Sequence, residues 1–135
     1  MQIENLKEEH GVHGKGWRDE IADRLLNLAS KVIKLVSGFP KYNPGLMISN
    51  QLMRSITSCG ANYEEARGAE SRADFIHKMQ IVLKEMRESI YWLRLIEKIE
   101  ITKGPAEVGA LIFEATGLSN IVAKSIVTAK KAIAR

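Results

Sequence analysis

Apolar residues in this chain recur three and four positions apart over long stretches, and no segment sustains the alternation of a strand. Between residue 17 and about residue 36, Ile21, Leu25, Leu28, Val32 and Leu35 follow one another at spacings of four, three, four and three. That rhythm places them on one side of an α-helix and predicts a buried seam. Leu26, Ile33 and Val36 widen the predicted apolar face, and Ser37-Gly38-Phe39-Pro40 ends it. A second helix is predicted from near Pro44 to about Arg67, with Leu52, Ile56, Cys59 and Tyr63 as its seam and Ile48 and Met53 beside it. Gly68 reads as its stop. Ser71 then has the form of an N-cap, and Phe75, Met79, Val82, Met86, Ser89, Leu93 and Ile96 carry the same alternation to about Ile99. After Thr102-Lys103-Gly104-Pro105, a fourth helix is predicted through Val108, Leu111, Ala115, Leu118, Val122 and Ile126, with a bend expected near Gly117. Four such helices with short connections predict an all-α, antiparallel up-down-up-down four-helix bundle over residues 17–135. Residues 1–16, polar and carrying Gly11, Gly14 and Gly16, read as a flexible N-terminal arm.

Two segments do not fit a lone bundle. In the second helix, Gly60 and Ala61 lie mid-helix, where glycine costs about 1 kcal/mol against alanine. Close approach of another backbone would compensate. In the third, Ile90, Tyr91, Trp92, Leu95 and Ile96 leave almost no polar side except Arg94, and one core cannot bury every direction of a helix. Tyr and Trp are also enriched in contact surfaces. Gly60, Ala61, Ile90, Tyr91, Trp92 and Leu95 are therefore the candidate interface of a homo-oligomer.

Charge sharpens the picture only at one end. The formal net charge is +4, but no acidic residue follows Glu114, while Lys124, Lys130, Lys131 and Arg135 remain. These four are candidate phosphate contacts for a nucleic acid, or contacts for an acidic protein. The helix dipole alone also favours cations at a C-terminus. The N-terminus does not read as a signal peptide, and no run of about 18 apolar residues stands out as a membrane span. A cytoplasmic protein without a membrane partner is expected.

Chemistry is sparse. The single cysteine, Cys59, sits at a seam position and reads as a buried thiol. His10-x-x-His13 and Asp74-x-x-His77 lack the partner motifs that di-metal bundles require. Glu85 and Glu88 are three apart, with Lys78, Lys84 and Arg87 nearby, which predicts solvated ion pairs. Asn62, Glu64, Glu65 and Arg67 form a charged corner next to Gly68, read as a structural ion-pair network. No cofactor, metal or catalytic residue is predicted. A non-enzymatic, self-assembling scaffold is the expected function, and a four-helix enzyme or metal-binding protein is the alternative.

Phe39-Pro40, Leu52-x-Arg54-Ser55-Ile56, Ala61-Asn62-Tyr63-Glu64-Glu65, Ser71 and Phe75, and then Leu83, Met86, Glu88 and Leu93, make a combined pattern. It resembles the four-helix bundle family of proteins encoded in 23S rRNA intervening sequences. The resemblance implies an up-down-up-down bundle, homo-oligomers that are often pentamers, and no catalytic residues. It also implies kinship with accessory proteins of diversity-generating retroelements, basic pentameric barrels that bind a reverse transcriptase and nucleic acid. Lys84-Glu85 departs from the small pair common on the family's third helix, which implies different packing there.

Overall fold

The structure is a computed structural model and describes residues 16–134. The predicted arm, with His10 and His13, lies outside the described residues apart from Gly16, as does Arg135. Four helices follow in order: α1 (Trp17–Val36), α2 (Gly45–Arg67), α3 (Arg72–Ile99) and α4 (Pro105–Ala134). Each packs on the next, and α1 also meets α4, which closes an up-down-up-down bundle. α4 runs through Gly117 as one uninterrupted helix.

The seams meet as their spacing predicts. Leu25, Leu28 and Val32 of α1 face Ile48, Leu52, Ile56 and Cys59 of α2; Val82, Met86, Leu93 and Ile96 of α3 and Val108, Leu118 and Val122 of α4 complete the core. All are buried. Burial of each large side chain contributes about 1.5–3 kcal/mol against exposure.

Local chemistry marks the helix ends. The Asp74 amide donates to Ser71 Oγ at 3.0 Å, a cap that typically contributes about 1 kcal/mol. The Gly68 amide donates to the Glu64 and Glu65 carbonyls at 3.3 and 3.2 Å, with its own φ at −94°, outside the left-handed region. Glu100, after α3, does take that region, at φ 54°.

Three expectations need correction. Leu26 and Ile33 do not widen the core: both are exposed, Leu26 by 69%. They lie on the flank of α1 where the bundle has no further helix to cover them. Glu85 and Glu88 pair with Arg54 across the α2–α3 joint, Glu85 at 3.3 Å, and Trp92 Nε1 donates to Glu88 at 3.2 Å. Their lysine neighbours in sequence are not among these partners. Finally, α4 is long and apolar enough to cross a bilayer by length and composition, with an 18-residue window of mean hydropathy 1.3. Ile, Leu, Val, Phe and Ala raise that average, and the Gly, Ser, Thr and Asn residues among them break any continuous run of large apolar residues.

Candidate functional site

A trough of about 900 Å³ lies between α1 and α2. Small side chains create it. Ala22 and Ala29 of α1 face Gly60 and Ala61 of α2, and Leu26 and Ile33 rise at its edge. A Cβ added at Gly60 would meet nothing nearer than Leu25 Cβ at 3.9 Å. The close backbone that was expected to compensate for Gly60 is therefore not found within this chain.

One end of the trough is the charged corner. Arg67 reaches Asp19 across the α1–α2 joint and Glu64 at 3.2 Å along its own helix. Burial disfavours its charge, but Glu64 and Asp19 outweigh that and hold its pKa above the usual arginine value. Glu65 takes Lys78 of α3 at 3.0 Å. Asn62 donates its amide to the Ser58 carbonyl and to Ser58 Oγ, both at 2.9 Å, so it is satisfied within α2. Arg67 thus ties α2 to α1 and Glu65 ties it to α3, while Asn62 and Glu64 bond within α2.

Beside this corner the Arg18 guanidinium is buried, stacked 5.0 Å from the Trp17 ring and 5.3 Å from the Phe75 ring. Its Nε and Nη1 have no hydrogen-bond partner, and burial lowers its pKa. Arg18 lies three residues before Ile21, in step with the α1 seam, and its guanidinium takes the inward position against the two rings.

The predicted interface residues divide into two patches. Gly60 and Ala61 floor the trough, whereas Ile90, Tyr91, Trp92 and Leu95 lie on α3, away from it. Tyr91 is exposed and meets Trp92 edge-on at 5.0 Å; Ile90, Trp92 and Leu95 are half-buried. On α4, Lys124, Lys130 and Lys131 are all exposed, and among the described residues none has a carboxylate within ion-pair distance.

Sequence reasoning missed the outer side of α4. Only 28% of its apolar window is buried, and Phe113 is 83% exposed. The mean hydropathy of the window would have signalled it. Burial pushes the Cys59 thiol up to about 12, so it stays protonated at neutral pH. Among the described residues no three His, Cys, Asp or Glu side chains gather as for a metal ion. His77 is exposed.

A profile described as 23S rRNA-intervening sequence protein matches residues 19–124. Among solved structures, a protein of unknown function from the S23 ribosomal protein family of Bacteroides thetaiotaomicron VPI-5482 shares 35% identity. The alignment covers 78% of this chain and 97% of that one, with a TM-score of 0.69. Comparison with curated proteins returns no significant match.

Proposed function

This chain belongs to the 23S rRNA-intervening sequence protein family, and from that premise we propose that it acts by assembly, as a non-enzymatic helical scaffold. Several copies join through apolar surface left open by the bundle, and the assembled surface holds a protein or nucleic-acid partner through its basic residues. The observation that carries this reading is the character of α4. It has an apolar window of mean hydropathy 1.3 that is mostly unburied, and it continues into the acid-free stretch with Lys124, Lys130 and Lys131. Phe113, Val127 and Ile133 stand exposed along it, and exposed apolar side chains grouped on one surface favour an interaction site. Repeating a weak basic patch around a ring multiplies its effect on a polyanion. The resemblance supplies the expected copy number, five, and the expected partner class, a reverse transcriptase with its nucleic acid.

Multi-angle light scattering tests the first half, and a mass several times that of one chain is expected. A single-chain mass at all concentrations overturns the proposal. Titration with single-stranded and duplex probes at several salt concentrations tests the second half. Binding should weaken with salt, and Lys130→Ala with Lys131→Ala should lower the log–log salt slope by roughly two for each subunit that touches the probe. Binding indifferent to both salt and substitution removes the nucleic-acid partner.

A further inference from the structure

We infer that the trough between α1 and α2 receives the outer face of α4 from a second copy of this chain, so that each subunit carries both halves of one head-to-tail contact. This rests on the assembly reading above and specifies which surfaces meet.

The trough has the shape and chemistry for a helix. Its floor is Ala22, Ala29, Gly60 and Ala61, and its exposed wall is Leu26 and Ile33. A glycine–alanine floor lets another backbone come close, and no backbone of the same chain does so at Gly60. α4 offers an exposed outer side to such a contact. Phe113, Asn120 and Val127 recur seven apart along that exposed side, the period of a packing seam. Phe113 and Val127 are 83% and 51% exposed.

Charge sets the direction. α1 begins with Asp19 and Glu20 and ends with Lys34; α4 begins with Glu107 and ends with Lys131. Laid antiparallel with Glu107 opposite Lys34, the acidic start of α1 falls level with Lys124, and Lys131 runs past it. That is also the sense in which α1 and α4 already meet within the chain, where Arg24 grips Glu114 at 2.6 Å. A rotation axis along the bundle preserves this polarity for every neighbouring pair, and a heterologous contact of this kind closes into a ring. A lipid bilayer suits the stripe less well, because Lys124 sits beside it midway between Asn120 and Val127, and a charge at that depth is costly. Against the trough, Lys124 finds the acidic end formed by Asp19, Glu20 and Glu64 with Arg67.

Two single substitutions supply the test. Ala61→Cys puts a thiol on the trough floor and Asn120→Cys puts one on the α4 stripe; both positions are exposed, while Cys59 is buried. The two variants, mixed after subunit exchange and treated with a short bis-maleimide, should give a cross-linked dimer containing one chain of each. Either variant alone should give none. Phe113→Asp should leave the helical circular dichroism unchanged and raise the dissociation constant of the assembly by at least about tenfold. A multi-chain mass without the mixed cross-link overturns this pairing and leaves assembly standing. A single-chain mass for the unaltered protein overturns both. Sedimentation with phosphatidylcholine–phosphatidylglycerol vesicles, abolished by Phe113→Asp while the mass in solution is unchanged, assigns the stripe to a membrane and overturns the pairing.

Discussion

Along its α3 side, α2 is sealed. Ser55 and Ser89 are buried against each other with their oxygens 2.8 Å apart, and Ser55 Oγ donates onward to the Leu52 carbonyl at 3.2 Å. Ile56, Cys59, Val82 and Met86 fill the space around them, and Arg54 closes the rim over Glu85 and Glu88. Along its α1 side the same helix leaves a trough of about 900 Å³ floored by Gly60 and Ala61. Both sides are rich in small residues, but to opposite effect. Opposite α3, small polar side chains find partners and draw the helices together. Opposite α1, small residues meet other small residues and leave space. The stretch Ser55-Ile56-Thr57-Ser58-Cys59-Gly60-Ala61 therefore meets two neighbours differently, α3 in a sealed joint and α1 across an open trough.

The largest contrast comes from truncating one side chain on each side. Met86→Ala removes a fully buried side chain from the sealed joint and should cost about 2–5 kcal/mol in urea unfolding. Leu26→Ala, at the edge of the trough, should change the stability of the dilute single chain by no more than about 0.5 kcal/mol. Equal losses would mean that α1 is packed as tightly as α3.

Next in size is an alkaline effect confined to the inward side of α2. Burial raises both the Cys59 thiol and the Tyr63 phenol to about 12. Tyr63 also donates from its hydroxyl to the Arg18 carbonyl at 3.3 Å. Both groups hold their protons more tightly folded than unfolded. Their contribution is intact below about pH 8, where the unfolded thiol begins to ionise, and is lost as pH rises toward 12. For Tyr63 the loss should reach about 2–3 kcal/mol by the top of that range. Tyr63→Phe should flatten this limb of a stability–pH curve, and an unchanged limb would show that the phenol is not buried in solution.

The helices and their inward seams were legible because burial imposes a period of 3.6 residues, and every residue from Leu25 to Ile126 that kept the period is inside. Ser89 was placed in the seam by spacing alone, and it is buried there. What spacing does not encode is whose core a residue enters. Leu26 and Ile33 extend the apolar face of α1 in sequence just as Val36 does, yet only Val36 is covered within the chain. The trough was half legible: Gly60 and Ala61 stood out as costly, but the facing Ala22 and Ala29 are ordinary helix formers and drew no notice. Arg18 kept the period, three residues before Ile21, but a pattern of apolar letters passes over a charged residue, and nothing in it shows the Trp17 and Phe75 rings that receive the guanidinium.

A smaller effect probes Gly60 itself. Gly60→Ala meets Leu25 at an ordinary contact distance of 3.9 Å, so the single chain should gain about 0.5–1 kcal/mol from helix propensity. The same methyl would stand on the trough floor, so the assembly should weaken while the chain stabilises. Light scattering and urea melts on one preparation read both, and a parallel change in the two would tie the glycine to the bundle alone.

The smallest effect lies where α1 meets α4. Arg24 Nη2 lies 2.6 Å from Glu114 Oε1, and its Nε reaches Oε2 at 3.1 Å, a bidentate pair. The hydrogen bond from Arg24 holds the Glu114 carboxyl below the usual glutamate range. A carboxyl depressed in the folded state contributes stability above its unfolded pKa and loses it as pH falls through the folded one. The pair should therefore count at neutral pH and fade below about pH 4. Its side chains are 33% and 37% exposed, so water screens the attraction and the contribution should stay below about 1 kcal/mol. Glu114→Gln should lower the melting temperature slightly at pH 7 and leave it level with the unaltered chain at pH 3. A deficit that persists at pH 3 would mean that Glu114 acts by packing rather than by charge, and that the joint between α1 and α4 is tighter than the trough beside it implies.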